Sequence, residues 1–189
     1  MRSSSGAWAF DELDDRVEQP LALAIDGEGG VHVAYGGGEL RYAPREGGAW
    51  ARSTIAFDRA HERMDLAVDA AGGLHLSYTG RSDGSREIRY ASAPHGGASW
   101  TVESVGVSAL HGVAMAMDRW GVIHAAHTPY NVRHLARDAT GVWTMGDVTP
   151  RELPDVEFTY GASVDVDGAV HFAWRSFHAL VHGTRCFCP

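Results

Sequence analysis

Four times along the chain an Asp is followed by Gly at the third position and His at the sixth. The copies are Asp26, Gly29, His32; Asp69, Gly72, His75; Asp118, Gly121, His124; and Asp165, Gly168, His171. Their Asp residues stand 43, 49 and 47 residues apart. Self-similarity on this scale means that each copy is one supersecondary unit. Such a unit cannot bury its apolar face alone, so neighbours must stack on one another.

Inside each copy the period is two. Leu21-Ala22-Leu23-Ala24-Ile25 and Val113-Ala114-Met115-Ala116-Met117 alternate large and small residues just before the Asp, which predicts a strand. The small column Ala24, Ala67, Ala116 and Ser163 would let sheets approach closely near a crowded axis. A second strand follows each His, as in Val31 to Tyr35 and Val170 to Trp174. A third reads Leu40 to Ala43, Ile88 to Ala91, Arg133 to Ala136 and Leu180 to His182. A fourth opens on Gly and Trp: Trp50 after Gly48, Trp100 after Gly97, and Trp143 after Gly141. The last copy has no such strand, and an unassigned Trp lies at the other end, in Gly6 to Phe10.

Sheets of four strands set radially around an axis bury both faces and leave only short edges. The reading is therefore all-β, a single domain over residues 1–189. The units fall at about 20–57, 63–106, 112–149 and 160–183 plus 6–13, with 184–189 as a tail. The N-terminal strand around Trp8 is expected to close the ring by completing the last sheet.

A formal charge of −8 removes nucleic acid and anionic membrane as main partners, because both reward a basic face. The two cysteines, Cys186 and Cys188, cannot staple the body, and their spacing is too short for an unstrained disulfide. The N-terminus lacks the apolar run of a signal peptide, and no apolar stretch is long enough to span a bilayer. The chain as given reads as cytoplasmic, or as secreted if a leader is missing.

The run Ala67 to Tyr78, continued by Ile88-Arg89-Tyr90-Ala91 and Gly97-Ala98-Ser99-Trp100, resembles a bacterial β-propeller repeat. That repeat has an Asp-x-x-Gly-x-x-His-x-x-Tyr core, then Leu-x-Tyr-Ala, then Gly-x-Trp. It is distantly similar to the Asp-box repeats of sialidase-like propellers. The resemblance covers Gly6 to about His182 and implies a four-bladed β-propeller. It implies little about activity, since such propellers host binders, lyases and hydrolases. Enzymes of this broad group carry six or seven blades, whereas this chain encodes four.

The repeated His residues are not read as a metal ring. Each lies one strand, about 4.8 Å, outward of the innermost strand, while imidazole ligands must sit about 2.0–2.1 Å from one ion. Each His is instead expected to bond its own Asp or turn, and each Asp to hold backbone N–H groups. The recurring Trp residues read as packing between blades. Symmetry breaks elsewhere. The loops entering the first strands and leaving the second strands share one face, the loop face. There the chain places Asp14, Asp15, His61, Glu62, His111 and Glu152, with Tyr35, Tyr78, His127 and Trp174, then Tyr130, Arg175 and His178. Rings for stacking and carboxylates for hydroxyls suit a polar ligand.

The functional reading is a non-catalytic binding module for a carbohydrate or other polar small molecule, acting as a monomer or self-associating dimer and using no cofactor. Tyr35, Tyr78, His127, Trp174, Arg175, His61 and His111 are its candidate ligand residues. A competing reading is a small polysaccharide lyase or glycoside hydrolase, in which His127 with Tyr130 or Tyr78 supplies acid–base chemistry. Sialidase-like catalysis is disfavoured. It needs a central Arg cluster, but Arg41 and Arg89 lie on third strands, and their later counterparts read as His134 and Val181. A third reading is a scaffold, or half of a larger propeller built from two chains.

Overall fold

The computed structural model describes residues 8–186 apart from 16, 37, 58, 59, 83, 109, 110, 129–131, 150–155, 177 and 178. Four antiparallel sheets follow one another along the chain. The first holds β1 (Glu18–Ile25), β2 (Val31–Gly36) and β3 (Leu40–Glu46), with an outer strand split into β4 (Ala49–Trp50) and β5 (Ser53–Ala56). The second holds β6 (His61–Val68), β7 (Leu74–Ser82), β8 (Ser85–Ala93) and β9 (Thr101–Ser108). In the third are β10 (His111–Met117), β11 (Ile123–Thr128), β12 (Arg133–Arg137) and β13 (Trp143–Asp147). The fourth has β14 (Val156–Val164), β15 (Ala169–Ser176) and β16 (Ala179–Cys186).

The repeated Asp does what its spacing predicts. Asp26 Oδ1 accepts the N–H groups of Glu28 at 2.9 Å and Gly30 at 2.7 Å, closing the turn between the first two strands. Gly29 takes φ of +87°, a conformation that costs a residue with a Cβ about 1 kcal/mol or more. Asp26 Oδ2 accepts from His32 Nε2 at 3.0 Å. Because a carboxylate only accepts, that nitrogen carries the proton, and Nδ1 is left to accept from the Tyr42 hydroxyl at 2.6 Å. One side-chain chain thus ties the turn to the second strand and the second strand to the third. The other sheets repeat it through Asp69, His75 and Tyr90; Asp118, His124 and His134; and Asp165, His171 and His182. The His bond and the backbone donors hold the Asp26 and Asp165 carboxyls below the usual range.

A fifth turn of the same build joins β12 to β13. Asp138 Oδ1 accepts from the Thr140 and Val142 N–H groups, and Gly141 takes φ of +89°. It carries no His six residues on, so the turn is sufficient by itself and the His is an addition that ties strands.

Successive sheets pack face to face. Ala22, Ala34, Leu40 and Tyr42 of the first meet Met64, Leu74, Leu76 and Tyr78 of the second. Ile88 and Tyr90 of the second meet Val113, Met115, Ile123 and Leu135 of the third. Ala126 and Val132 of the third meet Val170, Phe172 and Trp174 of the fourth. Trp100 lies edge-on to Tyr42 at 5.3 Å and Trp143 edge-on to Tyr90 at 5.6 Å, which is the inter-sheet packing expected of the recurring Trp residues.

Three expectations need correction. Trp8 lies outside any strand with its side chain 88% exposed, and the fourth sheet has three strands among the described residues. Gly6 and Ala7 lie outside the described residues. The N-terminal stretch docks on the first sheet instead. The Asp14 carboxylate, almost fully buried, accepts from Tyr35 at 2.9 Å and pairs with Arg41 at 2.8 Å, and Asp11 pairs with Arg45. A buried carboxylate with two such partners fixes the chain there more firmly than an exposed ring could elsewhere. Second, the counterpart of Arg41 and Arg89 in the third sheet is Arg133. All three lie opposite the last ring of the second strand, at Tyr35, Tyr78 and His127, so His134 aligns with Tyr42 and Tyr90. Third, Cys186 is disulfide-bonded.

Two substitutions separate these roles. Asp118→Ala strands the N–H groups of Trp120 and Val122 and removes the acceptor of His124, a predicted loss of about 3 kcal/mol in urea unfolding. Asp14→Ala is predicted to cost about 2 kcal/mol and Trp8→Ala no more than about 0.5 kcal/mol. The reverse order of those two would reinstate the N-terminal closing strand.

Candidate functional site

The side chains that break the repeat symmetry occupy equivalent places. Tyr35, Tyr78, His127 and Trp174 end the second strands, each facing the preceding member of the array or, for Tyr35, the docked N-terminal stretch. All four are buried, so their rings stand between layers and are not open platforms for a ligand. Burial and the Asp14 carboxylate raise the Tyr35 hydroxyl pKa. Trp174 packs against Gly183 of β16 so closely that a Cβ there would meet the indole at 2.9 Å, which is why Gly stands at that position. Arg175, the next residue, is exposed. The backbones of His61 and His111 pair with Thr79 and Thr128, so the entering and leaving ends share one side of the sheets. Tyr130 and His178 lie outside the described residues.

His127 faces the second sheet, on the same side of β11 as Ile123 and Ala125. Neither ring nitrogen has a hydrogen-bond partner among the described residues. Across the same interface β7 turns Ser77 and Thr79 toward the third sheet beside Tyr90 and Ile88, and their hydroxyls are likewise buried without partners. Asp65, on the same face, accepts the Met115 N–H at 2.8 Å, and burial raises its carboxyl pKa against the pull of Arg63. Burial pushes His127 down to about 4, helped by Arg133, so the ring is neutral at pH 7. Tyr78 faces the first sheet and His127 the second, at different interfaces. They form no acid–base pair, and the lyase constellation is not assembled from them.

A groove of about 150 Å³ runs between the third and fourth sheets instead. Its walls include His134, Asp147, Phe172, Thr184 and Arg185. Asp147, at the end of β13, accepts from Arg133 Nε at 3.1 Å. Phe172 lies 5.5 Å from the His134 ring, and His134 is held near 4 by burial, by His124 and by Arg185. The groove therefore joins a carboxylate, a guanidinium, a hydroxyl, a neutral imidazole and an aromatic ring. A second hollow, also of about 150 Å³, lies among the turns at Asp26, Glu28, Asp69 and His95, where Asp26 and Asp69 are already bound to their own His. Sequence reasoning missed the groove because its walls come from two repeats. The one signal was the change from Tyr42 and Tyr90 to His134 and His182 on the third strands.

No family model matches the chain, and no curated protein does. Solved structures do. The α-L-arabinofuranosidase of family GH93 from Fusarium graminearum, solved with arabinobiose, aligns with TM-score 0.61 and 9% identity over 87% of this chain and 59% of its own. A glycosyl hydrolase from Bacteroides ovatus aligns with TM-score 0.56 and 12% identity, over 93% and 68% respectively. SapL1 lectin, solved with α-methyl fucoside, aligns with TM-score 0.53 and 17% identity, over 89% and 63%. The fold is a β-propeller. This chain spans about three fifths of the arabinofuranosidase and lectin chains. At such identities the likeness is one of fold.

Three depressed imidazoles set an acid response, His127, His134 and His124, the last also lowered by burial. Both His127 and His134 have folded pKa values near 4, below the usual 6.5. Above about pH 6.5 neither ring contributes. As pH falls from about 6.5 toward 4 the unfolded chain takes up protons that the folded chain refuses, so stability drops, by up to about 3 kcal/mol per ring. His134→Tyr, which installs the residue of the first two sheets, is predicted to reduce the fall between pH 7 and pH 5 in urea unfolding measurably, while His127 and His124 keep part of it. An unchanged fall would show that His134 is not one of its sources.

Proposed function

We propose that this β-propeller is a non-catalytic carbohydrate-binding module and that the groove between the third and fourth sheets takes the sugar. The observation that carries the reading is the set of groups on the groove walls. Asp147 can accept from sugar hydroxyls, and the exposed Arg185 and Thr184 can donate to ring and hydroxyl oxygens. Its solved structural neighbours include a lectin and glycosidases, which supports carbohydrate as the ligand class. Burial of His127 and Tyr78 at separate interfaces favours binding over turnover.

A glycan-array screen followed by titration calorimetry tests this. The full chain is predicted to bind at least one glycan, and Arg185→Ala is predicted to weaken it about tenfold, near 1.4 kcal/mol. Thr184 and Arg185 are exposed, so replacing either should leave the fold intact. No binder at high micromolar concentration would end the reading. Binding that ignores both Arg185→Ala and Thr184→Val would move the site elsewhere.

A further inference from the structure

The two end sheets each present a face that their repeat equivalents bury. On β1, Leu21, Leu23 and Ile25 point to one side and are 62%, 57% and 64% exposed. Their counterparts Met64, Val113 and Met115 are buried, and Leu66, Val68 and Met117 pack against the core of the preceding interface. Exposed apolar residues scattered singly need no explanation, but three in one column on one strand do.

The fourth sheet shows the converse. His171 and His182 stack 5.3 Å apart on its outer face, open to solvent. The matching pairs in the inner sheets are covered by an aromatic ring of the following sheet: Tyr42 by Trp100, Tyr90 by Trp143, His134 by Phe172. At Gly161 the space where a side chain would stand is empty, whereas its counterpart Asp65 reaches across to the backbone of Met115. Among the described residues β1 packs on β6, β6 on β10 and β10 on β14, and no comparable packing returns from β14 to β1.

We infer that the apolar face of the first sheet docks the outer face of the fourth sheet of a second copy of this chain, so that two copies close one ring. The occupant follows from the repeat. The first two inner interfaces set the large column of one first strand against the shorter side chains of the previous one, and the exposed faces of β1 and of the fourth sheet offer a large and a small column of the same kind. Leu23 matches Met115, and Gly161 matches Asp65, so Leu23 of one protomer is placed against Gly161 of its partner. Trp50, the counterpart of Trp100 and Trp143, comes to lie over the partner's His182. Such an interface is heterologous and must either close or run on as a filament. One copy aligns with only 68% and 59% of the propeller chains it overlays, so one copy spans less than those rings and two is the smallest number of copies that can close one.

Native mass spectrometry of the full chain at micromolar concentration should give twice 20.3 kDa. Leu23→Asp should give the single mass with an unchanged far-ultraviolet circular dichroism spectrum. Leu23→Cys mixed with Gly161→Cys should form a covalent dimer on oxidation that neither variant forms alone. A monomeric wild-type chain would overturn the inference, since the chain would then leave these faces open or cover them itself. A dimer that survives Leu23→Asp and fails the mixed cross-link would overturn it equally, by placing the interface on another surface. Neither result bears on the sugar groove, which lies within one chain.

Discussion

The structure depends on one chain of hydrogen bonds per sheet, from turn to Asp to His to the ring of the third strand. An Asp at the start of a tight turn would satisfy its neighbours' N–H groups without help, as Asp138 does. What the His adds is reach. Its two nitrogens are committed in opposite directions, so the turn, the second strand and the third strand cannot shift independently. With those three fixed, both faces of the sheet present side chains at set heights, and face-to-face stacking of small on large columns follows.

That stacking decides where chemistry can occur. Close approach buries the rings that end the second strands, which turns the most conspicuous asymmetric residues into packing and, at His127, into a neutral imidazole without a hydrogen-bond partner among the described residues. Open volume appears where the regularity fails. The fourth sheet lacks an outer strand among the described residues, and there Phe172, Thr184 and Arg185 border the groove opposite Asp147. Function is thus expected at the irregular edge of the array, which accords with the general placing of sites on loops and margins held by a rigid frame.

Much of the fold was legible because it is local. Asp, Gly and His lie within six residues of one another, the strands alternate with period two, and the bonds from Asp26 to His32 and from Asp69 to His75 form as the spacing predicts. The closing strand was misread because pattern alone assigned Trp8. The sequence carries no sign that Asp14 would find Tyr35 and Arg41, 21 and 27 residues away. The misplaced counterpart of Arg41 has the same origin: the third repeat differs at its second connection, and only pairing with β11 reveals the register. The groove was out of reach for a stronger reason. Residues such as Asp147 and Arg185 carry no motif and meet only after two sheets have packed.

The Asp–His–ring chain spans separations of only 4, 6 and 10 to 15 residues. Nothing in it consults a neighbouring sheet. A segment built this way is a cassette: it can be duplicated in a gene and fold in its new place, because its internal geometry arrives with it. The spacings between copies, 43, 49 and 47 residues, are unequal, while the Asp-to-His spacing of six is kept in all of them. Propellers with different numbers of sheets are then neighbours in evolution, one duplication apart.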